Sequence, residues 1–302
     1  MKSSGTWFCS LFFAARAFAA PCCGGGQGQA ALILGDERAI ASVHYLFSKT
    51  VIDALDDGTY LERDASLNEH QHSFVLDGSY LWSDRWQTSG RLALIDRSVA
   101  YDPESPVVGL GDAVIQTTFE ALPEIRYSKA KPRVFVSTQL TVPLGDSPWE
   151  AARPASSMSR GFVLIGFGAM AFKRWNDWDA SATGEFHRGF SRAIDLSDRP
   201  GVNADPGFGS TFGASVGYRF PFGLRLGAAL SYALESGTAF DDPGLPDGST
   251  QRFASTSILA GYGLGEDWTV SAVYTDQTLV GSARNVSLQR IVGMSIQRSF
   301  SR

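Results

Sequence analysis

The sequence predicts an all-β fold, a transmembrane antiparallel up-and-down β-barrel of about 12 strands with short periplasmic turns and long extracellular loops. Three observations predict it. Apolar and polar residues alternate over segments of roughly ten residues, which is the pattern of barrel strands. The connections between these segments are short and long in turn. The composition includes 32 glycines and 12% aromatic residues, which suits strands better than helices.

The charge and hydropathy of the chain limit the classes of partner and of membrane segment that we expect. The 302 residues carry a formal net charge of -5, and the mean hydropathy is -0.06. No nucleic-acid partner is expected, because phosphate binding needs a basic face. After the N-terminal signal, no stretch reaches the roughly 18 consecutive apolar residues of a membrane helix. The sequence therefore predicts no helical span, whereas barrel strands hide their apolar residues in alternation.

Residues 1–19 have the features of a cleaved secretory signal peptide. Lys2 precedes a short apolar core, and Ala17 and Ala19 supply the small residues of an A-x-A cleavage site. Arg16 interrupts the core, and a frayed apolar terminus is the alternative interpretation. Export of a barrel predicts a location in the outer membrane of a Gram-negative bacterium, with outer-membrane lipid and the barrel-assembly machinery as partners.

Residues 20–36 form a glycine-rich N-terminal segment ahead of the predicted barrel, 37–302. Cys22 and Cys23 are adjacent, and a bridge between neighbours is strained, so an intermolecular disulfide or free thiols are the alternatives. Pro21 disfavours a lipid anchor at Cys22. The composition is typical of a flexible linker. Because the segment would lie on the periplasmic side, we also consider it a candidate plug for the barrel mouth.

Alternation begins near Arg38 and predicts the first half of the barrel. One face of each strand is apolar and the intervening positions are mostly polar, as expected for strands with lipid on one side. In chain order the apolar sets are Ala39, Ala41, Val43, Tyr45 and Phe47; Phe74, Leu76, Tyr80 and Trp82; Trp86, Thr88, Leu92 and Leu94; Ala113, Ile115, Thr117, Phe119 and Ala121; and Val134, Val136, Thr138, Leu140 and Val142. The next segment, 160–174, is apolar at both sets of positions, so alternation does not assign its faces.

The second half repeats the pattern and brings the total to about twelve strands, an even number as in closed single-chain barrels. Its apolar sets are Trp178, Ala180, Ala182, Gly184 and Phe186; Phe212, Ala214, Val216 and Tyr218; and Leu224, Leu226, Ala228, Leu230, Tyr232 and Leu234. Segments 251–264, 268–279 and 286–300 complete the set. In the last of these, Val292, Met294, Ile296 and Phe300 share a face that Arg298 interrupts.

The connections sort by length. Those at 83–85, 176–177, 220–222 and 265–267 are short, with 122–132 as the exception, whereas those at 48–71, 98–109, 144–160, 189–206 and 237–250 are long. This asymmetry is that of outer-membrane barrels, whose short turns are periplasmic. Aromatic residues cluster at the short turns and predict an interfacial girdle, with ordinary core packing as the alternative. They are Trp82, Trp86, Trp175, Trp178, Tyr218, Phe220, Phe222 and Trp268.

Three candidate sites of chemistry carry only part of the pattern that each needs. The stretch GLGDAV, which begins at Gly109, lacks the third glycine of a dinucleotide fingerprint and precedes a strand, so it predicts a loop at the barrel rim and no nucleotide site. His187 and Ser191 could serve a barrel-embedded lipid hydrolase, but no third group orients them. His70 and His72 fall in the first long loop, where two histidines alone do not predict a metal site. No cofactor is expected.

The polar faces of the strands predict the lining of the lumen. The residues assigned to it are Asp77, Arg91, Asp112, Gln116, Glu120, Arg133, Gln139, Asp179, Glu185, His187, Arg219, Arg225 and Glu235. Charges of both signs are mixed, so they could pair into ladders that seal the barrel or form rings that select solutes.

Two stretches, GLGDAVIQTTFEAL from Gly109 and STQLTVPLGDS from Ser137, resemble the outer-membrane β-barrel family of the meta-pathway phenol-degradation transporter-like proteins. In that family a G-x-G-D opens one strand and a Leu-Pro-Thr-Gly-like turn ends the next. Here Leu144 stands where Thr is usual. The resemblance implies a barrel that passes aromatic or other hydrophobic small molecules. The terminal strand resembles the signal of the assembly machinery, although Ser301 and Arg302 follow its aromatic residue.

Taken together, these patterns predict an outer-membrane channel or transporter for passive passage of small, hydrophobic or aromatic, molecules, and not an enzyme. A barrel-embedded lipid hydrolase and a non-transporting structural or adhesion barrel are the alternatives.

Overall fold

The computed structural model describes residues 32–149, 151–196 and 199–301. The predicted signal peptide, Cys22 and Cys23 lie outside the described residues, as does the larger part of the segment 20–36. Among the described residues, no helix is long and apolar enough to cross a membrane.

The described chain consists almost entirely of strands and loops. In chain order the strands are β1 (Glu37–Ala54), β2 (Tyr60–Glu62), β3 (Glu69–Leu81), β4 (Trp86–Val99), β5 (Val107–Leu110), β6 (Ala113–Leu122), β7 (Arg133–Val142), β8 (Leu164–Trp175), β9 (Trp178–Gly189), β10 (Arg192–Leu196), β11 (Arg199–Asp205), β12 (Phe208–Arg219), β13 (Leu224–Glu235), β14 (Ala239–Phe240), β15 (Gln251–Leu264), β16 (Trp268–Asp276) and β17 (Val286–Ser301). Single 3₁₀ turns lie at Ala65–Leu67 and Pro154–Ser156.

Within the described residues, twelve antiparallel strands close into one barrel, as predicted. Their order is β1, β3, β4, β6, β7, β8, β9, β12, β13, β15, β16 and β17, and β17 pairs with β1 to close the ring. Closure leaves no free sheet edge, so every strand can satisfy its backbone groups within the membrane.

The connections confirm the predicted asymmetry. Turns of two to four residues join β3 to β4, β8 to β9, β12 to β13 and β15 to β16, and the connection at 123–132 is the longer exception. The connections between barrel strands at the other end have nine residues or more. Glu37 pairs with Ser301, so β1 begins and β17 ends at the end with the short turns. We call this end periplasmic and the other extracellular.

One predicted boundary is wrong at the extracellular end. The first loop does not cover 48–71, because β1 continues to Ala54 and β3 already begins at Glu69. His70 and His72 therefore lie in β3 rather than in a loop, and their partners across the sheet are Lys49 and Phe47 of β1.

The outer face is apolar and ends in aromatic contacts near the periplasmic turns. The rings of Trp178 and Tyr218 lie 5.0 Å apart. Arg298, the charged residue that interrupts the face of the last strand, places its guanidinium 5.4 Å from the ring centre of Trp268 and 5.0 Å from that of Phe300. A cation over ring faces is stabilised at such an interface, which explains how the strand tolerates it.

The alternation pattern does not assign the faces of strand β8. Both its outer face and its inner face are apolar, and each has a different environment. Phe167 is 59% exposed on the outer face, whereas Met170 and Phe172 are buried. The latter two pack with Phe135 of β7 and with Leu34, which precedes the barrel. Successive apolar residues of this strand therefore face the lipid and the interior cluster alternately.

The extracellular loops carry a small core of their own. Strands β10, β11 and β14 form a separate three-stranded sheet. Ile194 and Val202 of this sheet pack against Phe162 and Leu164 at the start of β8. The cluster fixes one side of the extracellular mouth by hydrophobic burial.

Candidate functional site: the lumen and its inward loop

One charged cluster on the inner face joins β1, β3 and β4. Arg91 Nε and Nη2 donate hydrogen bonds to Asp77 Oδ1 and Oδ2 at 2.7 and 3.0 Å. His44 Nε2 lies 3.0 Å from the same carboxylate. The side chain of Asp77 has no exposed surface, so the fork-like pair with Arg91 compensates the charge that burial would otherwise penalise.

Two further pairs lie near the periplasmic end. Arg133 Nε donates to Glu120 Oε1 at 2.6 Å, between β7 and β6. Arg225 Nε donates to Asp179 Oδ2 at 2.8 Å, from β13 to β9. Arg219 ends β12 directly opposite Arg225 in the strand register and is half-buried.

The uncharged members of the predicted lining also find partners. Gln116 Nε2 donates to Thr118 Oγ1 at 2.9 Å, and both belong to β6. Gln139 Nε2 of β7 donates to Glu185 Oε1 of β9 at 2.6 Å. Since β8 lies between β7 and β9, this bond spans the inner side of a neighbouring strand.

A fourth charged cluster, at the extracellular end, was not predicted. Glu69 Oε1 accepts from Arg97 at 2.6 Å, and its other oxygen accepts from Arg63 Nη1 at 2.8 Å. Arg63 also binds Asp53. Asp53 and Glu69 lie at strand ends within 48–71, which the sequence pattern assigned to a loop, and this assignment hid the cluster.

The loop between β7 and β8 folds into the extracellular end of the barrel. Its residues Ser157, Met158 and Ser159 are buried. Arg97 Nη1, on the inner face of β4, donates to the carbonyl of Ser157 at 2.7 Å. Asp112 accepts from Ser159 Oγ at 2.6 Å. Asp112, one of the predicted lining residues, thus precedes β6 and anchors this inward loop.

On the far side, the inward loop contacts a cluster around His187. Arg160 Nη2 lies 3.2 Å from Glu235 Oε1 of β13. His187 Nε2 of β9 lies 3.0 Å from Glu235 Oε2, and its Nδ1 lies 3.6 Å from Glu185 Oε1. A cation from the loop is therefore held between the carboxylate of Glu235 and the imidazole of His187. The loop narrows the lumen at this level, because its anchors extend from β4 to β13.

The glycines of the two stretches that carry the family resemblance make room for this loop. A Cβ on Gly109 would come 2.7 Å from Met158 Sδ, and one on Gly145 would collide with the carbonyl oxygen of Leu110. The backbone N–H groups of Met158 and Ser159 donate to the carbonyl of Asp146. Both stretches therefore meet at the base of the inward loop. Their glycines allow the close packing of this loop, whereas the sequence predicts a loop at the barrel rim.

One part of the inner wall is apolar. Leu46 of β1, Val75 of β3 and Ile291 of β17 are buried together, and Ala93 of β4 packs against them. The four lie on neighbouring strands. This apolar strip borders the Asp77 cluster, so this part of the wall has both apolar and charged side chains.

Residues just before β1 lie inside the periplasmic mouth. The backbone N–H of Ile33 donates to Gln87 Oε1 at 2.7 Å, and Gln87 Nε2 donates back to the carbonyl of Ile33 at 3.3 Å. Ile33 packs on Ile40 and Leu81. Arg133 donates to the carbonyl of Leu34. A cavity of about 380 Å³ remains between these residues and the periplasmic turns.

The weak candidates for chemistry are not assembled into a site. Ser191 contributes a hydrogen bond to Asp205, whereas the contacts of His187 are Glu185, Glu235 and Arg160. His72 Nδ1 lies 2.7 Å from the hydroxyl of Tyr45 on the outer face. Among the residues that the structure describes, no group of three or more His, Cys, Asp or Glu could hold a metal ion.

Comparisons with known proteins support the fold. No family model matches the sequence, and no curated protein matches it. The COG4313 outer membrane channel from Pseudomonas putida F1 superposes with a TM-score of 0.72 at 14% identity, covering 89% of this chain and 97% of that one. The NanC porin gives 0.51 at 10% identity, covering 87% and 100%.

A third solved structure shows that the fold is shared with proteins of another kind. The beta domain of the Bordetella autotransporter BrkA also gives a TM-score of 0.51, at 12% identity, covering 87% of this chain and all of that one. Since all three identities are low, the likeness establishes an outer-membrane β-barrel fold.

Proposed function

We propose that this chain is an outer-membrane channel for the passive passage of small molecules. The observation that carries the proposal is the inward loop. A barrel that served only as an anchor or scaffold would not need a loop held inside its lumen by Arg97, Asp112 and Glu235. A charged constriction in an otherwise polar lumen is the device by which channels select solutes.

The resemblance in fold agrees with this proposal without specifying it. One protein that superposes well is described as an outer membrane channel. The exported location and the barrel-assembly machinery as a partner belong to the same proposal. Phe300 supports the latter, because it lies outward and 40% exposed near the end of the terminal strand.

The solutes that we propose are small and partly hydrophobic, including aromatic ones. The support is the apolar strip of Leu46, Val75, Ala93 and Ile291, which lies beside the charged cluster of Asp77. A wall with both characters can desolvate an apolar ring while polar groups of the solute keep hydrogen-bonding partners. Each residue of the predicted lining has a part in this proposal as a wall or constriction residue.

The test of channel function is electrical. Purified full-length protein inserted in planar bilayers is expected to give discrete conductance steps. Benzoate should reduce the current more than acetate, which carries the same charge without a ring. Leu46→Ser should diminish that difference. A folded, inserted barrel without conductance would contradict the channel, whereas equal effects of benzoate and acetate would contradict only the preference for aromatic solutes.

We also propose that segment 20–36 plugs the periplasmic mouth. The support is the set of contacts that hold Ile33 and Leu34 to Gln87 and Arg133 inside the barrel. Deleting 20–36 while retaining the signal peptide should increase conductance. Unchanged conductance in the shortened protein would exclude a plug.

A further inference from the structure

A row of basic side chains crosses the outer face of the barrel at its extracellular end. Arg290 of β17, Lys49 of β1 and His70 of β3 are consecutive partners in the strand register. Neighbouring strands lie about 4.8 Å apart, so the three positions fall within roughly 10 Å. Lys49 belongs to the same outward set as Tyr45, so the row faces the membrane and not the lumen.

The row has a net positive charge even when the ion pair of Arg290 is taken into account. The side chain of Arg290 is 54% exposed and pairs with Asp276 at 3.1 Å. Lys49 is exposed, and no carboxylate in the described part of the chain forms an ion pair with it. His70 adds a further nitrogen donor or acceptor beside them.

Aromatic rings lie directly below this row. The ring of Tyr45 lies 5.3 Å from that of Phe74, and its hydroxyl lies 2.7 Å from His72 Nδ1. Phe47 lies 5.1 Å from His72 and 6.2 Å from His70. Such rings with polar edges mark the level where hydrocarbon gives way to headgroups. The basic row therefore lies at headgroup level.

An apolar groove continues below the rings on the same face, with a volume of about 580 Å³. Tyr45, Tyr262 and Met294 stand at its sides, and the small side chains of Ala260 and Ala272 form its floor. Tyr45 is four residues from Lys49 along β1, which corresponds to roughly 13 Å at about 3.3 Å per residue. This is a suitable separation between a headgroup and the chain that it carries.

We propose that this face binds a phosphorylated, multiply acylated lipid of the outer leaflet. A phosphate group lies among Arg290, Lys49 and His70, and one acyl chain lies in the groove over Ala260 and Ala272. Charge-assisted hydrogen bonds hold the phosphate, and the groove gives one saturated chain more contact than a smooth barrel wall. The proposal depends on the membrane-spanning fold and not on the identity of the solute.

Native mass spectrometry of the full-length protein in detergent tests the site. The probe is a bis-phosphorylated, hexa-acylated glucosamine disaccharide, compared with the same lipid after removal of its phosphates. Wild type should retain the phosphorylated lipid about tenfold better. In the triple variant Lys49→Gln, His70→Gln and Arg290→Gln, that preference should disappear.

Arg188→Gln is the matched control. Arg188 is also a half-exposed cation near the extracellular end, where it pairs with Asp205, but it belongs to β9, half-way round the barrel from β1. Its substitution should leave lipid retention unchanged. An equal loss in this control would contradict a localised site.

The groove is tested separately by Ala272→Trp, which should reduce retention of the phosphorylated lipid by filling the floor. Heat-modifiable migration on a gel verifies that each variant is folded. If a variant does not fold, the comparison of the two lipids on the wild-type protein still tests whether the phosphate groups are recognised. Equal retention of both lipids, or a dimer of this chain in place of a lipid adduct, would overturn the proposal.

Discussion

Arg160, in the loop between β7 and β8, reaches Glu235 at the extracellular end of β13, with Nη2 and Oε1 3.2 Å apart. Strands β9 and β12 lie between β8 and β13 in the sheet. The same loop is held on the opposite side by Arg97 of β4. One loop is thus fixed to two distant parts of the wall, and its position depends on side chains rather than on backbone pairing.

We expect Arg160→Ala to loosen the inward loop without unfolding the barrel. The loss of a charge-assisted hydrogen bond costs about 2 kcal/mol, and the contacts of Ser157 and Ser159 remain. Single-channel recordings should show a higher mean conductance and more current noise. Arg153→Ala is the matched control, because Arg153 lies on the same loop but pairs with Glu104, an exposed residue of the connection after β4, and exposed pairs contribute about 1 kcal/mol or less. Identical single-channel traces for the two variants would contradict a role of the Arg160–Glu235 contact in holding the loop.

Gly145→Ala tests the close packing at the base of the inward loop. The added methyl group would meet the carbonyl oxygen of Leu110, so backbone must shift, at a cost of about 1–3 kcal/mol. The urea midpoint of unfolding in lipid vesicles should fall, and proteolysis within 143–163 should accelerate. Gly263→Ala is the control, since a Cβ there would meet nothing within 4 Å. Equal midpoints for the two variants would show that Gly145 is not needed for close approach.

The sequence predicted the barrel because alternation is a property of each strand alone. Hairpin register could also be anticipated, since a short turn fixes which residues face each other. Asp77 and Arg91, on either side of the turn at 82–85, are direct partners for this reason. The strand ends were less predictable, because β1 and β3 remain paired beyond the apolar band, where alternation no longer carries a signal.

The inward loop was harder to predict than the wall of the lumen. The inward loop is as rich in polar and small residues as the outward ones, and nothing local distinguishes Ser159 or Arg160. Their positions depend on Asp112 and Glu235, which are distant in sequence. Gly109 and Gly145 are signals that could have revealed a close approach, but glycine is equally typical of a turn.

The connection at 123–132 should show a defined pH dependence. A hydrogen bond from the Lys173 ammonium holds the pKa of Glu124 below its ordinary value of 4.5. Because the folded-state pKa is lowered, the contact stabilises the protein above about pH 4.5, and this contribution is lost as the pH falls through the folded-state value. We expect Glu124→Gln to lower the urea midpoint at pH 7, and this effect should become progressively smaller as the pH falls below 4.5. The effect at pH 7 should vanish in a Lys173→Met background, and a pH-independent effect would contradict the assignment.

Asp179 and Arg225 should respond unequally to substitution, although they are partners in one pair. Both are buried, and a Cβ on the intervening Gly217 would meet the guanidinium of Arg225. Asp179 also interacts with Arg174, which lies near Arg219. Asp179→Asn therefore leaves Arg225 and Arg174 without this carboxylate, and removing one partner of a buried pair costs about 3 kcal/mol or more. Arg225→Gln removes one of those cations and should cost less.

The double variant Asp179→Asn with Arg225→Gln separates these effects. It should be more stable than Asp179→Asn alone, because the excess positive charge decreases when the buried arginine is also removed. Urea unfolding in lipid vesicles at low salt gives the three free energies. If Arg225→Gln destabilises the barrel as much as Asp179→Asn, repulsion among the arginines does not govern the loss of stability, and the pair acts only through its own two hydrogen bonds.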